Sequence, residues 1–295
     1  MFFHDKRLQY HCKPDRPDPL FACKLQEVLG GQWGEISVFM QYLFQAWNCR
    51  GPQKYRDMLL DIGTEEIGHV EMLATMIAQL LEGADADTTE AVAKSSSAVQ
   101  AVLGGSSPKD MMMAAAMNPQ AQIVFGQGAA PCDSMGNRWT AAYIVSSGNL
   151  LADFRMNVTA ESQGRLQVCR LYNMTEDKGV RDFLSFLIAR DTMHQNQWLA
   201  AIEELRADGL EDTPCPSSFP QELEAKDFSY AFLDFSKPGT ESAEGRWARG
   251  HAPDGKGTFQ HIVEPKPHGP VPDLAGRADP RWYATPPVPT PPTTI

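Results

Sequence analysis

Four segments with helical periodicity each carry a metal-type ligand inside an otherwise apolar stripe, and that pattern leaves very few folds open to the chain. In one of them Leu59, Ile62, Glu66, His69, Leu73 and Met76 follow at alternating steps of three and four, so all share a helix face. Glu66 and His69 therefore point at the core. The same spacing runs through Val28, Glu35, Phe39, Tyr42 and Ala46 in the first segment, Phe154, Val158 and Glu161 in the third, and Leu187, Asp191, His194 and Trp198 in the fourth. An unpaired carboxylate buried at such a position costs on the order of several kcal/mol, so a proton, a basic partner or a metal must neutralise it. Several carboxylates converging with two imidazoles favour metal. The pattern describes a two-metal site inside a helix bundle.

The composition narrows the partners. With 295 residues the chain can bury a large core, and one main domain with appendages is expected. A net charge of −11 and a pI near 5.1 argue against nucleic-acid binding. No segment approaches the roughly 18 apolar residues that a membrane span needs, and the N-terminus lacks an apolar signal core, so a cytoplasmic location is expected. Cys12, Cys23, Cys49, Cys132, Cys169 and Cys215 show no paired spacing, which argues for reduced structural thiols and against thiolate zinc.

The expected fold class is all-α: a ferritin-like four-helix bundle over residues 18–209, preceded by an N-terminal arm (1–17) and followed by an irregular region with a Pro-rich arm (210–295). Asp18 caps the first helix, Pro19 opens it, and it is expected to run to about Asn48. Gly30, Gly31 and Gly34 inside it cost up to about 1 kcal/mol each relative to Ala, and either a close backbone approach, room for substrate or a kink accounts for them. Gly51 and Pro52 restart the chain as a second helix ending near Gly83. Residues 84–140, with methionines between Met111 and Met117 and turn signals at Asn118-Pro119, fit the long crossover of ferritin-like bundles. The third helix is expected from Asn149 to Tyr172, and the fourth from Thr175, as cap, to about Asp208. The prolines after Glu264 favour extended chain, with Trp282 and Tyr283 as anchors against a neighbouring subunit.

Glu66-Ile67-Gly68-His69 lets a carboxylate bridge two metals while an imidazole one turn later ligates one of them. Glu65 lies about 100° off the stripe and is expected behind the ligands or in solvent. In Asp191-Thr192-Met193-His194 the shorter Asp arm points to a proton-carrying or orienting role, with an ion pair to Arg190 or Arg165 as the alternative. Carboxylates with one imidazole per metal suit manganese or iron, and two redox metals can exchange two electrons together, as peroxide chemistry requires.

The stretch GNLLADFRMNVTAESQGRLQVCRLYNMTEDKGVRDFLSFLIARDTMHQNQWLAAI closely resembles the manganese (non-haem) catalases. Glu35 with Tyr42, TEEIGHVEM, NPQ and PCDSMGNRW are similar to the same family, so the likeness covers nearly the whole chain. It implies two manganese ions per subunit and disproportionation of hydrogen peroxide into water and dioxygen. By the same likeness Glu35 and His69 complete one metal, Glu161 and His194 the other, Glu66 bridges, and Tyr42 donates to Glu35. It further implies a homo-oligomer, a hexamer whose C-terminal arms embrace neighbours. Ala160 stands where some members carry arginine. Asp57 and Asp61, with Asp234, Ser236 and Gly239, partly resemble a calcium site shared between subunits. The rival readings are a di-iron ferroxidase or oxygenase with the same ligands and a spore-coat-like structural protein of the same fold.

Overall fold

The computed structural model describes residues 5–84, 128–210, 224–240 and 244–272. The methionines 111–117, the Asn118-Pro119 turn, Cys215, Trp282 and Tyr283 lie outside them. The chain divides into two compact units, Met1–Ser218 and Phe219–Ile295.

The first unit is a ferritin-like helical bundle. Its helices are α1 (Pro19–Gly30), α2 (Glu35–Asn48), α3 (Gln53–Leu81), α4 (Leu150–Tyr172) and α5 (Lys178–Ala207). Asp18 caps α1 by accepting from Phe21 N–H, and Pro19 occupies the first turn, where its missing donor costs nothing. Asn149 caps α4 through Ala152 N–H. The short connections 49–52 and 173–177 fold α2 with α3 and α4 with α5 as two hairpins.

The first expected helix is in fact two. Gly31 leaves α1 in an extended conformation, and the chain turns back on the helix end, with Gly34 N–H donating to Gly31 C=O. A Cβ at Gly31 would stand 2.4 Å from Glu27 C=O, and one at Gly34 2.7 Å from Val28 C=O, so only glycine fits this turn. Gly30 serves a different end: its Cβ would lie 2.4 Å from the backbone oxygen of Cys132. That close approach docks the segment 128–148 on the junction. Gln26 donates to the carbonyls of Ala130 (2.6 Å) and Cys132 (2.9 Å), and Trp139 Nε1 donates to Ser37 Oγ at 3.0 Å. At the fourth helix the cap is Asp177, accepting from Val180 N–H, and not Thr175, whose hydroxyl accepts from Asp177 N–H in the preceding turn.

Two apolar clusters fill the bundle. One gathers Leu25, Val28, Met72, Leu73, Met76, Val168, Leu184 and Leu187; the other gathers Tyr42, Leu59, Ile62, Phe154, Ala160 and Trp198. Along α3, Glu66 and His69 fall between Ile62 and Met72, and along α5, Asp191 and His194 fall between Leu187 and Trp198. The ionisable residues thus form a layer between two dry clusters. Burial of each large side chain there contributes roughly 1.5–3 kcal/mol, and this is what holds the charged layer in place.

The second unit, expected to be irregular, contains a helical turn α6 (Lys226–Ser229) and three strands, β1 (Ala231–Asp234), β2 (Gly250–His251) and β3 (Thr258–Val263). The sheet order is β1-β3-β2, with β1 parallel and β2 antiparallel to β3. Phe232, Ile262 and Val263 are the β-formers that make these strands, but the runs are short and poorly alternating, which hid them from a search for periodicity.

Candidate metal centre

Four helices bring Glu35, Glu66, His69, Glu161 and His194 together in the layer between the clusters. Glu35 opens α2, where an acidic side chain is favoured by the helix dipole. Glu66 and His69 sit in mid-α3, Glu161 in mid-α4 and His194 in mid-α5. All five are buried, with both imidazoles fully inaccessible. Two triads of donor atoms converge, Glu35–Glu66–His69 and Glu66–Glu161–His194, each with its atoms within 4.8 Å of one another. Glu66 belongs to both. Its Oε2 lies 2.6 Å from His69 Nδ1, and its Oε1 lies 2.6 Å from His194 Nδ1. The flanking carboxylates take symmetrical places, Glu35 Oε2 3.8 Å from His69 Nδ1 and Glu161 Oε1 3.8 Å from His194 Nδ1. The rings face each other at 5.8 Å with 25° between their planes.

Behind the rings lies Glu65. Its Oε2 is 3.1 Å from His194 Nε2 and its Oε1 3.5 Å from His69 Nε2, so one carboxylate faces the outer nitrogens of both imidazoles. Arg190 pairs with Glu65, Nε donating to Oε1 at 2.6 Å and Nη2 to Oε2 at 3.1 Å. The alternative partners for Asp191 are therefore engaged elsewhere, Arg190 by Glu65 and Arg165 by the hydroxyl of Thr192. Asp191 is buried beside the centre, and its Oδ2 has no hydrogen-bond partner. Tyr42 departs from the role the family likeness gave it. Its phenol donates to Glu161 Oε1 at 2.5 Å rather than to Glu35. Around it, Trp198 packs on Tyr42 (4.9 Å) and on Phe154 (5.3 Å), closing that side with aromatic surface.

The electrostatics follow from burying four carboxyls with two imidazoles. Burial, then the charge on Glu66, pushes Glu35 up to about 8 and Glu161 well above the carboxylate range. Asp191 is raised by burial and by Glu35 and Glu66. Burial opposes ionisation of Glu66 too, yet the positive charges of His69 and His194 hold it well below the usual range. For the imidazoles burial works against protonation, but Glu66 beside both lifts His69 well above its ordinary value and His194 to about 11. Such a layer retains protons avidly. Divalent cations meet the same charge requirement, and their ligands give up those protons on binding. The donor set is all oxygen and imidazole, with no thiolate among the converging groups, which suits manganese or iron.

Comparison with known proteins identifies the family. The pattern that defines the family described as manganese containing catalase matches residues 1–290. The chain belongs to the manganese catalase family. It is 57% identical over 282 residues to the uncharacterized protein YjqC of Bacillus subtilis (strain 168), covering 96% of each chain. To the manganese catalase of the same organism it is also 57% identical, over 274 residues, covering 93% of this chain and 94% of the relative. Among solved structures it is similar to KatB, a manganese catalase from Anabaena, with a TM-score of 0.65 and 26% identity, over 90% of this chain and all of that one. This membership favours the catalase over the di-iron and spore-coat-like alternatives.

The other candidate residues fall in both units. Asp57 and Asp61 are exposed on α3, and Asp57 accepts from Gln53 at 2.5 Å. In the second unit Asp234 is buried, its Oδ2 2.8 Å from His261 Nε2 and its Oδ1 accepting from Ser236 N–H, while Gly239 turns the chain with φ +84°. Among the described residues none of these joins a triad of converging donors. Within them no helix is long and apolar enough to cross a membrane. Sequence periodicity could not reveal the Gln9 amide, which donates to Glu65 Oε1 at 2.9 Å from the N-terminal arm. The only trace of it is Gly68, where a Cβ would press on Gln9 Oε1 at 3.3 Å.

Proposed function

We propose that the chain disproportionates hydrogen peroxide to water and dioxygen with two manganese ions, one held by Glu35, Glu66 and His69 and the other by Glu66, Glu161 and His194. The observation that carries this assignment is Glu66, a single buried carboxylate whose two oxygens face two different imidazoles at the same distance. When bound, the metal pair would supply two-electron redox chemistry: one peroxide takes up two electrons and two protons to give two waters, and a second releases two electrons and two protons to give dioxygen.

The protein residues hold and move the protons. Asp191, buried beside the centre with no hydrogen-bond partner on Oδ2, is placed to donate a proton during O–O cleavage and to recover one during peroxide oxidation. Tyr42 pins Glu161 Oε1, and the Trp198–Phe154 wall keeps bulk water off that face. Glu65 fixes the imidazoles so that Nδ1 of each faces the shared carboxylate.

Elemental analysis together with oxygen evolution tests the assignment. Two manganese ions per wild-type subunit are expected, and His69→Ala or His194→Ala is expected to lose one of them and nearly all activity while the bundle still folds. Two ions and full activity in either variant would remove the histidines from the site.

The same reading includes a homo-oligomer, a hexamer by family likeness, in the cytoplasm, which sedimentation and cell fractionation check. It also includes a calcium ion on Asp57 and Asp61 with Asp234, Ser236 and Gly239 of a neighbouring subunit. If assembly size is indifferent both to a calcium chelator and to replacing Asp57 and Asp61 by Asn, those aspartates are only a solvated face.

A further inference from the structure

We propose that Arg190 and Gln9 are positioning residues for both metals at once, acting through Glu65, so that docking of the N-terminal arm is part of the metal centre. This rests on the ligand assignment above and extends it to residues outside the bundle's interior.

Five nitrogen atoms face the carboxylate of Glu65. Glu65 Oε1 receives Arg190 Nε at 2.6 Å and Gln9 Nε2 at 2.9 Å, with His69 Nε2 at 3.5 Å. Oε2 receives Arg190 Nη2 and faces His194 Nε2, both at 3.1 Å. A carboxylate that faces the outer nitrogen of a metal-bound imidazole orients the ring and raises its basicity. Two separate carboxylates would tune two metals independently. Here a single carboxylate serves both rings, so whatever moves or neutralises Glu65 acts on both metals in the same direction.

Two groups set the position of Glu65, and they come from different elements. Arg190, on α5, grips it with a planar fork, a geometry that lysine cannot reproduce. Gln9 comes from the arm, which is fixed along α3 and α5. Tyr10 stacks on Phe186 at 4.4 Å with 6° between the rings, and Phe186 meets His69 edge-on at 6.2 Å. Cys12 Sγ donates to Met72 C=O, and Asp15 exchanges backbone and side-chain hydrogen bonds with Asp177 and Lys178 at the start of α5. Two glycines admit the arm. A Cβ at Gly68 would crowd Gln9, and one at Gly179 would stand 1.9 Å from Lys13 C=O. The arm thus reaches His69 by two routes, Tyr10 through Phe186 and Gln9 through Glu65.

The test measures manganese binding to the full-length apoprotein by competition with a chelator, with stoichiometry by elemental analysis and the dimanganese(II) electron paramagnetic resonance spectrum as a second readout. Arg190→Ala is expected to weaken both metals by about 10- to 100-fold, the usual effect of removing a partner behind a ligand. Gln9→Ala, at an exposed position, is expected to weaken both by a smaller factor and to alter the spectrum. Arg190→Lys is expected to recover only part of the loss. Should Arg190→Ala fail to fold, Gln9→Ala and Arg190→Lys carry the test alone. Native affinity at both metals, a lowered melting temperature with unchanged affinity, or a loss confined to one metal would overturn the proposal. Wild-type protein that does not bind two manganese ions would instead overturn the ligand assignment itself.

Discussion

The phenol of Tyr42 on α2 donates to Glu161 on α4 across 2.5 Å, with both residues buried. A hydrogen bond to a charged acceptor is worth about 1.5–3 kcal/mol, so its loss is felt where the charge on Glu161 matters most. Tyr42→Phe is expected to keep two manganese ions and to lower turnover by roughly 10- to 100-fold, the range those energies give. Steady-state oxygen evolution by a metal-replete variant is the check. Unchanged turnover would make the phenol a packing group only.

Asp191→Asn keeps the shape of the side chain and removes its proton-carrying ability. Two bound metals and turnover slower by roughly 10² to 10⁴ are expected, the usual contribution of general acid–base assistance. Loss of one metal from this variant would instead make Asp191 a ligand.

The charged layer also fixes how the metal-free protein responds to pH. Glu35 is lifted by burial and by Glu66 to about 8 from an ordinary value of 4.5, and His194 is lifted, mainly by Glu66, to about 11 from 6.5. Groups raised on folding favour the native state below their unfolded values and lose that contribution as pH rises through the folded ones. Glu65 and Glu66 are depressed and contribute fully above about pH 4.5, so they do not offset the loss. The apoprotein should therefore become progressively less stable from pH 5 to pH 8 and beyond, and the manganese-loaded protein much less so. Thermal unfolding of both forms across that range decides it; parallel curves would contradict the assignment of these groups to the metals.

Gly30→Ala tests the junction between α1 and α2. In an ordinary helix interior this change would stabilise by up to about 1 kcal/mol. Here the added methyl meets Cys132 backbone atoms at 2.4–2.7 Å, and overpacking of that kind costs about 1–3 kcal/mol. A lower denaturant midpoint is expected, and a higher one would show that the 128–148 segment is free to move aside.

Helical periodicity exposed α3, α4 and α5 because long stripes such as Leu59 to Met76 admit only one reading. It also exposed the six residues the structure brings into the layer, since an ionisable group in an apolar stripe is conspicuous. What it could not expose were relations between stripes. That Tyr42 reaches Glu161 rather than Glu35 depends on how α2 leans on α4. Arg190 falls outside the stripe that carries Asp191, and only the packing of α5 on α3 directs it to Glu65. The break at Gly31 was concealed because three glycines state that a side chain is intolerable without stating what stands in its place.

That break has a mechanical consequence. Glu66, His69, Glu161 and His194 are set within helices whose backbone hydrogen bonds hold them from both sides, whereas Glu35 is the first residue of its helix and is preceded by a glycine turn. Four corners of the cage are held from within a helix and one from a helix end. The place of Glu35 is therefore set by the close-packed turn of Gly31 and Gly34 that delivers it, and by Cys132 docked on Gly30, rather than by a helix continuing on both sides.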